Sequence, residues 1–246
     1  TLAGDSYLET GFMKKEVWQK IISDVKQLPN LERIVFGGIG EPLLHPNFLE
    51  IIENIKVLKC RVSVTTNGFL LSDDICQHLV GLCVDDIIVS IDAYESETFA
   101  KKRGEDINTL WDRMKRLKEI KEEQRKSSPE IKAEIVIDKN NANEIFTLIP
   151  KLLQFDIKNL YISQLMPVTK HMIESVFYDK YPDERRLKWK REVAKVSMYS
   201  GIKVLLPEMG LNTHRFCRFV EDKKVVIRFD GEISPCYRFL HDGKEY

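Results

Sequence analysis

Six short, β-branched, mostly apolar runs alternate with six helical patterns, and this alternation restricts the fold more than any other feature of the chain. The runs are residues 33–38 (RIVFGG), 61–67 (RVSVTTN), 86–92 (DIIVSID), 132–138 (KAEIVID), 159–166 (NLYISQLM) and 201–206 (GIKVLL). Strands of this composition belong in parallel sheets whose outer face is covered. Helical patterns occupy 14–26, 47–59, 72–83, 110–125, 143–154 and 183–199. Pro46 stands just before the second, and Ser72 opens the third as an N-cap with Asp73 and Asp74 in its first turn. Right-handed crossovers leave two α/β architectures, an open doubly wound sheet or a barrel. Polar and Gly-rich residues follow five of the strands, at 37–41, 65–68, 90–92, 138–141 and 164–167. A switch-point site in an open sheet draws on two or three strand ends, whereas a ring of polar ends at one rim is what a barrel site requires. The expectation is an α/β fold of the TIM-like barrel type.

Composition narrows the function. With 246 residues, 43% of them hydrophobic, the chain can bury a sizeable core. Lys+Arg and Asp+Glu are both 38, and a chain without cationic excess is poorly suited to nucleic acid. No apolar run approaches the ~18 residues of a membrane helix and no signal peptide is visible, so the expectation is a cytoplasmic protein without membrane or nucleic-acid partners. Five cysteines, Cys60, Cys76, Cys83, Cys217 and Cys236, are odd in number and irregular in spacing, against a secreted disulfide framework. Cys76 and Cys83 fall on one face of a helical pattern and, with Cys60, read as small buried hydrophobes.

From about residue 207 the texture changes. Residues 223–229 and 232–236 flank Asp230-Gly231, which predicts a β-hairpin closed by a two-residue turn. The domain expectation is therefore 1–206 for the barrel and 207–246 for the start of a second, smaller unit. The chain opens at Thr1 rather than Met, and Tyr246 stands in what reads as an unfinished turn, so both ends read as cuts.

Gly37-Gly38-Ile39-Gly40-Glu41-Pro42 follows a strand directly. Glycines let polar groups of a ligand approach bare backbone, and Glu41 offers a carboxylate to a cation. The spacing is neither a dinucleotide fingerprint nor a P-loop, and an ordinary tight turn after a strand explains it equally well. A barrel hydrolase using Glu41 and His45 is disfavoured, because His45 lies between Leu44 and Pro46 with no second carboxylate or metal-ligand spacing beside it.

Residues 36–46 (FGGIGEPLLHP) resemble the GGE-type segment of radical S-adenosylmethionine (SAM) enzymes. Thr65-Thr66-Asn67-Gly68 resembles that family's Thr-Asn-Gly strand end, and Ser90-Ile91-Asp92-Ala93 with Arg103-Gly104 resembles its Ser-x-Asp strand and downstream Arg-Gly. Cys217-x13-Gly231-x4-Cys236 is similar to the opening of the SPASM extension, which holds auxiliary iron–sulfur clusters. A zinc site at this pair would need further ligands, and only His214 and His241 lie nearby. Within the SPASM group, residues 164–172 (QLMPVTKHM), 216–219 (FCRF) and 234–237 (SPCY) look like maturases of tungsten-containing aldehyde ferredoxin oxidoreductases.

The resemblance implies a partial (β/α)6 TIM-like barrel lacking its first strand, followed by the start of a SPASM-type β-hairpin extension. It implies SAM as cofactor, with Gly38 and Gly40 offering carbonyls to its ammonium and Glu41 its carboxylate partner. Asn67 and Ser90 would meet the ribose or methionine part, Arg103 the SAM carboxylate, and residues 135–137 with Leu165 and Met166 the adenine. For Ile135, barrel core is the stronger reading. Cys217 and Cys236 would ligate an auxiliary [4Fe–4S] cluster. The implied reaction is reductive cleavage of SAM to a 5′-deoxyadenosyl radical, in maturation of a tungstopterin cofactor, with a small-molecule cofactor or client metalloenzyme as substrate and ferredoxin or flavodoxin as electron donor. A SPASM-type peptide maturase and a catalytically dead SAM-binding barrel are the alternatives. The family's CxxxCxxC loop, which binds the SAM-reducing [4Fe–4S] cluster, is absent from the chain. The family places it after the first barrel strand, so the expectation is that it lies upstream of Thr1 and that this chain alone is inactive.

Overall fold

The computed structural model describes residues 11–167, 170–178, 183–209 and 218–237. Six strands form one sheet in sequential order: β1 (Arg33–Phe36), β2 (Arg61–Thr66), β3 (Asp86–Ser90), β4 (Glu130–Ile137), β5 (Asn159–Gln164) and β6 (Lys203–Leu205). The pairs from β2 to β6 are parallel, with Val64 opposite Ile87, Ile87 opposite Ile131, Ala133 opposite Leu160 and Leu160 opposite Val204. Sequential order with a helix at each crossover is the topology of a partial TIM-like barrel, as the sequence led one to expect. The helices are α1 (Lys15–Val25), α2 (Phe48–Lys56), α3 (Asp73–Gly81), α4 (Ser96–Arg103), α5 (Ile107–Glu123), α6 (Ile145–Leu153), α7 (Lys170–Ser175), α8 (Glu184–Ser200) and α9 (Arg218–Glu221). Strands β7 (Val226–Ile227) and β8 (Ile233–Ser234) pair antiparallel on their own. The chain groups into two compact units, residues up to 62 with those from 213, and residues 63–212.

The local signals act as their chemistry requires. Ser72 Oγ accepts from the Ile75 N–H at 3.3 Å, capping α3 behind two aspartates. Asp106 and Asp183 cap α5 and α8 in the same way. Helix α4 has no counterpart among the expected patterns. Its eight residues (SETFAKKR) bury only Phe99, and it ends at Gly104 in the left-handed conformation, φ 75°.

Two local expectations are corrected. Cys83 lies beyond the end of α3, half-buried with φ 51°, and so does not share a helical face with Cys76. The left-handed residue that terminates the helix turns the chain away from its axis. Cys76 itself is fully buried, and burial, with Asp73 adding to it, pushes its thiol up to about 12, so it stays protonated and inert. The 230–231 turn is longer than two residues. Arg228 N–H donates to the Glu232 carbonyl at 2.9 Å and Gly231 N–H to the Arg228 carbonyl at 3.0 Å, with Gly231 at φ 93°. These bonds define a three-residue loop ending in a left-handed glycine, the common alternative when the strands need an extra residue to turn.

In the unit of residues 63–212 the sheet has two unlike faces. Ile87, Val89 and Ile91 alternate with half-buried Ile88, Ser90 and Asp92, and buried Ile131, Ala133, Ile135 and Ile137 alternate along β4 with Lys132, Glu134 and Val136. Alternate side chains point to opposite faces, so the apolar set makes one face and the polar set the other. At the start of the strands the polar face is closed by its own partners. Lys132 Nζ meets Asp86 Oδ1 at 2.7 Å and Glu130 Oε2 at 3.2 Å, while Ser63 Oγ donates to Asp86 Oδ2 at 2.8 Å. Burial pulls the Lys132 ammonium down, but the hydrogen bonds to Asp86 and Glu130 outweigh it and hold the pKa above its ordinary value. Removing one partner leaves the other charge buried alone. Asp86→Ala is therefore expected to destabilise the protein by about 3 to 5 kcal/mol, and Asp86→Ala with Lys132→Met to recover much of that, measured by urea unfolding of the full-length protein.

Candidate functional site

The residues that the sequence singled out lie at the carboxyl ends of the strands, in both compact units. In the unit that contains β1, the segment after it exposes Gly37, Gly38, Ile39 and Gly40. Gly38 has φ 125°, which a side chain rarely tolerates, and a Cβ at Gly40 would meet nothing within 4 Å. Backbone here is open to close approach. Glu41 precedes a 3-10 turn (Pro42–Leu44), where its Oε1 accepts from the Leu43 N–H at 3.1 Å and leaves the carboxylate anchored beside the glycines. His45 Nδ1 accepts from the Asn47 N–H at 3.1 Å, so Nε2 carries the proton and donates to the Met13 carbonyl at 2.9 Å. With both ring nitrogens committed, His45 is not a general base, in keeping with the disfavoured hydrolase.

In the unit of residues 63–212, Asn67, Ser90, Glu134 and Tyr161 form one row. Ser90 is opposite Glu134 and Glu134 opposite Tyr161, while Asn67 follows Thr66 as Ser90 follows its partner Val89. All four are half-buried. Asn67 Oδ1 accepts from the Phe69 N–H at 3.1 Å, in an Asx turn completed by Gly68 at φ 83°.

One step beyond the row, Asp92 ties three elements together. Its Oδ2 lies 2.6 Å from Arg103 Nη2 at the end of α4, and its Oδ1 accepts from the Val136 N–H at 3.1 Å. Asn141 Nδ2 donates to the Asp92 carbonyl at 2.6 Å and to the Val136 carbonyl at 2.8 Å. Lys102 pairs with Asp138, and Glu144 Oε2 accepts from the N–H groups of Tyr94 at 2.6 Å and Glu95 at 2.9 Å at the start of α4. The loop after β4 thus holds both ends of α4 and fixes Arg103. Among the described residues, the buried Arg103 Nε has no hydrogen-bond partner. A buried guanidinium N–H without an acceptor is a donor awaiting one. The sequence offered Asp92 only within its Ser-x-Asp resemblance and missed Asn141 and Glu144 as its supports; polar residues in the 138–141 segment were the available signal.

Leu165 follows β5, half-buried, with its N–H donating to the Ile137 carbonyl at 3.1 Å, and Met166 is 44% exposed. Ile135 and Ile137 are fully buried on the apolar face, as the core reading of Ile135 had it. Cys236 is half-buried with a free thiol, and its carbonyl accepts from Ser234 Oγ at 2.8 Å. Cys217, His214 and His241 lie outside the described residues. Among the described residues no group of three or more His, Cys, Asp or Glu is placed to hold a metal ion.

Residues 7–149 match the radical SAM superfamily. The chain belongs to that superfamily. It is 34% identical over 239 residues to the tungsten-containing aldehyde ferredoxin oxidoreductase cofactor-modifying protein of Pyrococcus furiosus, covering 97% of this chain and 66% of that protein. It is 34% identical over 166 residues to a probable GTP 3′,8-cyclase of Saccharolobus islandicus, covering 67% of this chain and 50% of the cyclase. The fold is shared with Streptococcus suis SuiB bound to S-adenosylmethionine (TM-score 0.70, 17% identity, 94% of this chain and 55% of SuiB). It is also shared with anSMEcpe bound to AdoMet and the Cp18Cys peptide (TM-score 0.68, 19% identity, 94% of this chain and 68% of anSMEcpe). The radical SAM chain described here therefore spans about two thirds of its tungsten-related relative and half of the cyclases.

The chemistry within each unit is compatible with one charged group of SAM. In the unit of β1, open backbone beside an anchored carboxylate suits an ammonium, and in the unit of residues 63–212 a fixed guanidinium with a spare buried N–H suits a carboxylate. The reducing [4Fe–4S] cluster has no such fit here, because no three of the five cysteines have the CxxxCxxC spacing.

Glu134 is the perturbed acid of this site. Burial, then the nearby Asp92 charge, raise its pKa above the usual carboxylate value, with Arg103 opposing. A carboxyl that binds its proton more tightly folded than unfolded stabilises the protein at pH below its unfolded value, and loses that contribution as pH rises through the folded one. Glu134→Gln should therefore raise the thermal midpoint at pH 7, with the gain shrinking towards pH 4, read from unfolding curves across that range.

Proposed function

We propose that this protein is a radical SAM enzyme that matures a tungstopterin-type cofactor. The observation carrying this reading is the superfamily match over residues 7–149, which coincides with the polar strand ends just described. SAM held by these residues would, with a reducing [4Fe–4S] cluster, supply radical chemistry for hydrogen abstraction. The CxxxCxxC spacing that would hold that cluster does not occur among these 246 residues.

The tasks of this chain are to bind, orient and exclude water. Gly38 and Gly40 offer backbone carbonyls to the SAM ammonium, and Glu41 its countercharge. Asn67 and Ser90 take the ribose or methionine part. Arg103, held by Asp92, presents its remaining N–H groups to the SAM carboxylate, and Leu165 covers the adenine. Cys217 and Cys236 are proposed ligands of an auxiliary [4Fe–4S] cluster in a SPASM-type extension spanning 207–246, after a barrel domain of 1–206. The substrate is a small-molecule cofactor or its client metalloenzyme, and a ferredoxin or flavodoxin is the electron donor. A reducing cytoplasmic compartment suits such clusters, and among the described residues no helix is long and apolar enough to cross a membrane. The resemblance to the tungsten-related relative over 97% of the chain favours this substrate over a peptide.

The test uses the full-length protein reconstituted without oxygen. Iron and sulfide beyond one four-iron cluster per chain, and dithionite-dependent release of 5′-deoxyadenosine from SAM, are expected. Absence of iron overturns the enzyme reading and leaves a SAM-binding barrel. Glu41→Gln and Arg103→Ala should each weaken SAM binding by about tenfold or more, since each removes a charge-assisted contact, and calorimetric titration reads the loss directly.

A further inference from the structure

Within the row Asn67–Ser90–Glu134–Tyr161, Glu134 is the member that the SAM assignment leaves without a task. Among the described residues its carboxyl makes no hydrogen bond, while its backbone carbonyl accepts from the Ile91 N–H at 2.8 Å. Its surroundings explain why. Arg103, the cation whose charge acts on it, is paired with Asp92. Lys132, two residues earlier on the same face of β4, is committed to Asp86 and Glu130. Tyr161 stands beside it on β5. The residue is half-buried rather than sealed, which leaves room for a bound molecule to reach it. A partly desolvated carboxyl with no hydrogen bond inside the protein is open to one from a molecule that fills the space beside it. With Asp92 close by, an anionic group is disfavoured at this position.

We infer that Glu134 is a ligand-contacting residue, whose carboxyl exchanges a hydrogen bond with an uncharged hydroxyl or N–H group of a molecule bound on the polar face of β3–β5. The inference rests on the proposed function. Two sources carry this chemistry: the ribose diol of SAM, next to Ser90, and the amino and ring N–H edge of a pterin-type substrate, towards Tyr161.

The experiment measures two probes on the full-length protein, S-adenosylhomocysteine by calorimetry and pterin by its fluorescence, with wild type, Glu134→Ala and Glu134→Gln. Thermal unfolding first establishes that the variants are folded, and Glu134→Gln, isosteric and uncharged, serves where Glu134→Ala is not. Glu134→Ala should weaken one probe about five- to tenfold, the worth of one hydrogen bond, while Glu134→Gln stays within about twofold of wild type. Loss confined to S-adenosylhomocysteine assigns Glu134 to the ribose, and loss confined to pterin assigns it to the substrate. Unchanged binding of both probes in Glu134→Ala overturns the inference, as does Glu134→Gln binding as weakly as Glu134→Ala. A wild type that binds pterin but not S-adenosylhomocysteine counts against the SAM site alone, and one that binds neither overturns both.

Discussion

The site depends on one carboxylate. Asp92 spends one oxygen on the Val136 N–H and the other on Arg103, while Asn141 grips the carbonyls of Asp92 and Val136. Helix α4 is too polar to be held by apolar burial, since only Phe99 is buried. It is instead fixed at its start by Glu144 and at its end by Lys102–Asp138 and Arg103–Asp92. Ion pairs at an exposed surface contribute little, but these are partly desolvated and converge on the same loop, so they act as a network with defined geometry. The result is an arginine whose position is set by strands rather than by its own short helix. That rigidity suits the carboxylate-binding role proposed for Arg103.

How much of this was legible in the sequence follows from the physics of each signal. The strands were readable because runs such as 86–92 and 132–138 are rich in β-branched residues, and their sequential order followed from the helices between them. Helix α4 was not readable, because without an apolar stripe its eight residues look like a loop until Gly104 is seen as its left-handed end. The same holds for Cys83, where a single left-handed residue at φ 51° removes the side chain from a face that spacing alone assigns to it. Candidate positions after the strands were legible because Gly38, Asn67 and Gly68 are residues that turns demand. Their partners were not, since the link from Asp92 to Arg103, or from Glu144 to Tyr94, joins residues that only the fold brings together. The composition of 132–138 also concealed Glu134, which reads as an interruption in an apolar run but stands on the opposite face from its neighbours.

Strand β4 carries two different electrostatic environments on a single face. Lys132 and Glu134 are two residues apart and point the same way, yet their electrostatics differ. At the start of the strand, Lys132 has Asp86 and Glu130 within hydrogen-bond reach, and Ser63 satisfies the remaining Asp86 oxygen. Every member of that group has a partner, so burial there costs little and the end of the sheet is locked. Near the carboxyl end, Asp92 claims Arg103, and among the described residues the Glu134 carboxyl makes no hydrogen bond and the buried Arg103 Nε has no acceptor. The two ends are built from the same residue types and differ only in whether the set closes on itself. In parallel α/β folds the amino-terminal rim tolerates closure because no chemistry occurs there, whereas the carboxyl-terminal rim must keep donors and acceptors open for what it binds. The gradient of polar satisfaction along β4, from complete at Lys132 to incomplete at Glu134, therefore marks the direction of the site without reference to any motif.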